Sequence, residues 1–212
     1  MAATAQQPRT IVFLDPAHGG TDPGAHLPNN LSEKDLTLAF AARLRATLAA
    51  ANFAVIATRD ADPTVAFTTD QRAEIANHAH PSACLILHAT DSGTGVHIIT
   101  SALTPDTLGD PHSPTPWNTA QSASIPQSLT LANSIGRALQ QARLPVILSR
   151  ASIRPVDNLT CPAVAIEIAP LGIGDDKTPV TDTAYLQNIT KAITAALTNW
   201  RTRQPAATGA QK

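Results

Sequence analysis

The sequence predicts an α/β fold: a single domain with a mostly parallel six-stranded sheet and helices on both faces. Three observations carry that expectation. Apolar runs of strand length recur six times, and several are continuous, as in strands covered on both faces. Stretches with three- and four-residue apolar spacing lie between them, and this alternation is the pattern of a parallel sheet with crossover helices. With 212 residues, 43% of them hydrophobic and 15% charged, the chain suits one sizeable core and is too apolar for disorder.

The first strand, residues 11–14, runs into the turn Asp15-Pro16-Ala17-His18-Gly19-Gly20. Ser32 reads as an N-cap with Asp35 as its capping-box partner, and Leu31 and Leu36 stand where a hydrophobic staple would. Leu36, Ala39, Phe40, Leu44 and Leu48 give the first helix one apolar face. A strand at 53–58, a helix at 69–78 and strands at 83–88 and 95–100 follow. Residues 101–128, rich in Pro, Ser and Thr and carrying Trp117, read as a long surface loop or lid. From about Pro126 a helix turns Leu129, Ala132, Gly136 and Leu139 toward the core. Strands at 145–148 and 163–168 come next. The last helix carries Tyr185, Ile189, Ile193, Ala196, Leu197 and Trp200. The domain is expected to span 9–203, with 1–8 and 204–212 as flexible termini.

A formal net charge of −1 gives no electrostatic grip on nucleic acid or on anionic lipid. No run approaches the ~20 apolar residues that span a bilayer. The opening MAATAQQPRT has neither the basic nor the apolar region of an export signal, which fits a cytoplasmic protein or a mature chain whose signal has been removed. Cys84 and Cys161 read first as small buried thiols, with a single disulfide between them as the alternative.

Ligands of parallel sheets gather beyond the carboxyl ends of the strands. Three chemically capable residues fall there: His18 after the first strand, His88 closing the third, and Glu167 near the end of the last. Glu33 opens the helix that returns from the His18 turn. Two imidazoles and a carboxylate form a known set for catalytic zinc, and a further carboxylate nearby can move protons. His18, Glu33 and His88 are therefore the candidate metal ligands and Glu167 the candidate acid/base. Glu167 stands out because a glutamate in the run PAVAIEIAP is costly unless it is paired, protonated or near a metal. Taken singly, each has a plainer reading: a hydrogen-bonded histidine, or a carboxylate answering a helix dipole. His26 reads as solvent-exposed, His78 and His80 as helix-end residues, and His97 and His112 have no evident partner.

The stretches IVFLDPAHGGTDPGA and SEKDLTLAFAARLRATL closely resemble the zinc-dependent N-acetylmuramoyl-L-alanine amidases of the AmiC/CwlV type. The likeness continues in order through VIATRDAD, QRAEIAN, LILHAT, GVHIIT and PAVAIEIAPL, from about Arg9 to Trp200. It implies one zinc ion held by His18, Glu33 and His88, with Glu167 as catalytic glutamate. It implies a six-stranded α/β domain that uses metal-activated water to cleave the amide between the lactyl group of N-acetylmuramic acid and L-alanine of the stem peptide. It implies peptidoglycan as partner, and a site of action outside the cytoplasmic membrane, in the periplasm or cell wall. Family members are often autoinhibited by a helix over the zinc, which makes residues 101–128 a candidate gate. Arg72 and Asn77 fall on recurring family positions, where packing or capping would equally explain them. Three departures stand out: Ala17 for the glycine before the histidine, HAT for H-A-N, and EIAPLG for E-x-G-F-L-S-N. The last leaves room for a zinc amidase acting on a different amide. A wall-binding protein without turnover is the other alternative.

Overall fold

The computed structural model describes residues 9–106 and 115–203. The expected flexible termini at 1–8 and 204–212, and His112, lie outside the described residues. Strands β1 (Ile11–Pro16), β2 (Ala54–Ala57), β3 (Ala83–Ala89), β4 (Val96–Ser101), β5 (Val146–Ala151) and β6 (Ala163–Ile168) form one sheet, ordered β2-β1-β3-β6-β4-β5. Every neighbouring pair is parallel except β6–β4. Helices α1 (Glu33–Ala50), α2 (Thr69–Ala79), α3 (Ile125–Gln141) and α4 (Thr183–Arg201) cover it.

The pleat of the sheet divides the core in two. Val12 and Leu14 of β1, Leu85 and Leu87 of β3, and Val164 and Ile166 of β6 face one side, where they pack with α1, α3 and α4. Phe13, Cys84, Ile86, Ala163 and Ala165 face the other, with Ala73 and Ala76 of α2 and the segment around Val156. The central strands are covered on both faces, which explains why their sequences are continuously apolar. On the second face α2 is the only helix of the four, and β5 is largely exposed.

Because β4 runs against β6, it starts at the edge where β1, β2, β3 and β6 end, and it finishes at the opposite edge. This bears on the proposed gate. Residues 101–106 leave β4 at the edge of the sheet opposite the one that bears His18, His88 and Glu167. There Gln121 Nε2 donates to the carbonyls of Leu159 and Cys161, just before β6 begins. Ser124 Oγ donates to Thr160 O. The segment is also less loop-like than its composition suggests: residues 117–124 form 3-10 turns and α3 begins at Ile125.

Other local expectations change in instructive ways. Ser32 is the N-cap of α1, but its hydroxyl donates to Asp35 Oδ2 at 2.5 Å instead of accepting from the helix. A full capping box occurs instead on α2, between Thr68 and Gln71. In α3, Leu129 is only half-buried; Ile125, Leu131, Ala132, Ile135 and Leu139 fill the core. Cys84 and Cys161 are joined as a disulfide, so the first reading of two free thiols is replaced by its alternative. The pairing follows from topology, since β3 and β6 are neighbours with Cys84 opposite Ala163.

Candidate metal centre

His18 sits in the turn that ends β1, and its backbone is left-handed at φ 62°. A non-glycine residue in that conformation costs on the order of 1–2 kcal/mol, so the surroundings must hold it. Two arginines do so. Arg72 Nη2 donates to His18 O at 2.7 Å, and Arg72 Nη1 to Asp15 Oδ1 at 2.6 Å and Pro16 O at 3.1 Å. Arg59 Nε donates to Pro16 O at 3.0 Å, and its Nη2 to the carbonyls of Ala17 and Lys34 at 3.1 and 2.7 Å. Ala17, the departure in the motif, is buried with no left-handed backbone, so its methyl costs nothing in conformation. The strain lies one residue later.

Glu33 is the first residue of α1, where the positive end of the helix dipole favours a carboxylate. It is 5% exposed and fully engaged. Oε2 accepts from the Ala25 amide at 2.9 Å and lies 3.1 Å from His18 Nε2. Oε1 accepts from the Ala89 amide at 3.1 Å and lies 2.9 Å from His88 Nδ1. Burial alone would push this carboxyl up, but the bonds from His18, His88 and the two amides outweigh it and hold it well below the ordinary carboxylate range. His18 is correspondingly raised, first by the bond to Glu33, against the effect of burial, and then by Asp22. Asp22 Oδ2 lies 2.8 Å from His18 Nδ1, which fixes the tautomer and turns Nε2 toward Glu33.

The two imidazoles meet edge to face, with centroids 5.3 Å apart. One donor atom each from His18, Glu33 and His88 lies within 4.8 Å of the other two. Nitrogen, nitrogen and oxygen at such spacing suit a divalent zinc site with room for further ligands. The surroundings fit as well. A Cβ added to Gly24 would come within 2.6 Å of both Glu33 Oε2 and His18 Cδ2, so the lack of a side chain there keeps the cluster open. The donor set, the carboxylate behind His18 and the cleared space together fit a metal ion.

Glu167 does not belong to that cluster. It lies on β6 directly opposite His88 on β3 and opposite His97 on β4. Register partners share a face, so His88, Glu167 and His97 stand side by side on the face that carries α2. Glu167 is about one-third exposed and therefore open to a substrate. His97, without an evident partner in the sequence, has its Nδ1 3.9 Å from Glu167 Oε2.

The three residues that the sequence marks as candidate metal ligands, His18, Glu33 and His88, do meet in space, but the groups that support them were not read. Asp22, four residues after His18, is a signal that a closer reading of HGGTD could have found. Arg59 could not be found that way, because its carbonyl partners lie 25, 42 and 43 residues upstream. Lys34 Nζ bridges Gly20 O and Asp62 Oδ2, tying the His18 turn to residues 59–68. Asn77 is a clamp, bonding Asn158 O and the Thr160 amide. Trp117 donates its indole N–H to Asp70 at 3.0 Å, which pins its segment to the start of α2. His26 is exposed, and His80 takes the left-handed cap of α2.

The N-acetylmuramoyl-L-alanine amidase family model (Amidase_3) matches residues 12–199. Among curated proteins, the chain is 34% identical over 97 residues to N-acetylmuramoyl-L-alanine amidase AmiC of Neisseria meningitidis, covering 43% of this chain and 23% of that protein. It is 40% identical over 84 residues to N-acetylmuramoyl-L-alanine amidase CwlM of Bacillus licheniformis, covering 39% of this chain and 32% of that one. The match thus spans a third or less of either relative's length. Among solved structures, the Ami1 amidase of Mycobacterium smegmatis superposes with a TM-score of 0.72 at 21% identity, covering 92% of this chain and 98% of that one. AmiC2 of Nostoc punctiforme gives 0.68 at 20% identity, covering 93% and 100%.

Proposed function

Since the chain belongs to the N-acetylmuramoyl-L-alanine amidase family, we propose that it is a zinc-dependent peptidoglycan hydrolase. Its target is the amide between the lactyl group of N-acetylmuramic acid and L-alanine of the stem peptide. The observation that carries this reading is the convergence of His18, Glu33 and His88, from three separate segments, to donor atoms within 4.8 Å of one another.

In this reading His18, Glu33 and His88 would hold one zinc ion. Asp22 keeps the proton of His18 on Nδ1, and the Ala25 and Ala89 amides hold Glu33 in place. When bound there, zinc supplies Lewis-acid polarisation of a carbonyl and a more acidic water. Glu167 takes a proton from the water as its oxygen bonds to the lactyl carbonyl carbon. Glu167 then gives that proton to the alanine nitrogen as the C–N bond breaks. The lactyl carboxyl and the L-alanine amine result, the carboxyl's remaining proton passes to the amine, and the glutamate returns to its starting state.

The disulfide supports action outside the cytoplasmic membrane, since such bonds persist in oxidising compartments. Among the described residues no helix is long and apolar enough to cross a membrane. The deciding experiment uses purified sacculi and defined muropeptides, with products identified by mass spectrometry. Wild type should release peptides with a free L-alanine amine, and Glu167→Ala should lose turnover while keeping one zinc per chain. Normal turnover by Glu167→Ala overturns the mechanism, and cleavage at another amide overturns the substrate assignment.

A further inference from the structure

We propose that His97 is a positioning residue for Glu167, a role that rests on the reading of Glu167 as acid/base. The two residues are cross-strand partners on β4 and β6, the single antiparallel pair of the main sheet. Their side chains emerge on the same face with Nδ1 and Oε2 3.9 Å apart, each about one-third exposed or less.

The second nitrogen of the ring decides what the first can do. His97 Nε2 lies 3.2 Å from Thr94 O, a carbonyl that can only accept, so Nε2 carries a hydrogen. That bond fixes the plane of the ring and keeps Nδ1 facing Oε2 at 3.9 Å. Residues 90–95 fold around it through two left-handed glycines, Gly93 and Gly95, and an added Cβ at Gly93 would lie 3.7 Å from His97 Cε1. His97 thus stands on the side of Glu167 away from His88, in a row across three adjacent strands. It borders the carboxylate at Oε2 and so limits how far Glu167 can swing toward β4. This is the arrangement of a base oriented by a third group.

The row also says why a histidine is useful here. A lysine or arginine would bring a long flexible arm, whereas an imidazole bound to Thr94 O keeps its other nitrogen in one place. Among the described residues no lysine or arginine forms an ion pair with Glu167.

The test compares His97→Ala, His97→Gln and Glu167→Ala, each with zinc content, thermal midpoint, kcat and KM measured on a defined muropeptide. His97→Ala should lower kcat about 10- to 100-fold, with KM within threefold and one zinc retained. His97→Gln, whose amide N–H can still reach toward Oε2, should recover at least a third of that loss on a logarithmic scale. A kcat for His97→Ala within twofold of wild type overturns the proposal. So does an equal loss in His97→Gln, or a loss carried by KM or by zinc content. If Glu167→Ala itself stays active, the acid/base reading fails first. If Glu167→Ala is inactive and His97→Ala is normal, only the positioning role fails.

Discussion

Arg72→Met isolates the ion pair that supports the His18 turn. Arg72 and Asp15 are both buried, with side chains 6% and 1% exposed, so their charges have little recourse to water. Removing the guanidinium while keeping a similar stem deletes the 2.6 Å bond to Asp15 and the bonds to Pro16 O and His18 O. Asp15 is left with Thr58 Oγ1 on Oδ1 at 2.7 Å, while its Oδ2 has no partner among the described residues. Breaking a buried pair in this way costs about 3–5 kcal/mol. The lower end applies, about 3 kcal/mol, because the Thr58 bond survives and the Arg59 charge stays near. With a urea m-value of about 2 kcal/mol/M, the midpoint should fall by about 1.5 M at pH 7. The assay is urea unfolding followed by circular dichroism on metal-free protein. Asp15→Asn combined with Arg72→Met removes the orphaned charge and should be more stable than Arg72→Met alone. A midpoint shift under about 0.5 M, or a double variant less stable than the single one, would refute the reasoning.

Glu167→Ala, described above, should separate turnover from metal retention. Gly24→Ala should weaken zinc binding about 10- to 100-fold in a competition titration, since its Cβ would press on Glu33 and His18 from a backbone at φ 65°; unchanged affinity would contradict the cleared space. Metal-free protein should be most stable between about pH 4.3 and 6.5. The raised His18 contributes stability that is fully present below its ordinary value of about 6.5 and lost as pH rises through the higher folded value. The depressed Glu33 contributes stability present above about 4.3 and lost as pH falls through its lower folded value. Zinc-loaded protein should not lose Tm between pH 6.5 and 8.5, because the ligands bind without those protons; a metal-free Tm that rises over that interval counts against this account. Cys84→Ala with Cys161→Ala should cost about 4.5 kcal/mol by the chain-entropy argument for a separation of 77 residues, read as a lowered urea midpoint. No shift would mean that the bond does not constrain the unfolded chain.

Much of this architecture is legible in the sequence because it is written in local patterns. Six apolar runs and the helical spacing of α1 and α4 mark the elements, and strand ends mark where His18, His88 and Glu167 must fall. What could not be read is neighbourhood in space. Nothing local says that β4 inserts beside β6 in the reverse direction, so the partnership of His97 with Glu167 stays hidden. The Cys84–Cys161 bond is hidden for the same reason, because it depends on β3 lying next to β6. Ser32 shows a different limit. Its position as a cap was readable, but the nearby Asp35 carboxylate takes the hydroxyl proton in preference to the helix backbone donating to the hydroxyl.

The reversal of β4 has a practical bearing on how the domain could be joined to other things. Thr10 O pairs with the Ala54 amide beside the start of β1, and Arg201 at the end of α4 reaches Ala51 O and Asn52 O, just ahead of β2. Both ends of the described chain therefore emerge at the rim where residues 102–106 also depart, behind the histidine row. A tag, a surface tether or a fused binding module attached at any of these points would hang from the rear of the molecule. The rim bearing His18, Glu33, His88 and Glu167 would still face outward, free to approach a substrate as large as a polymer mesh.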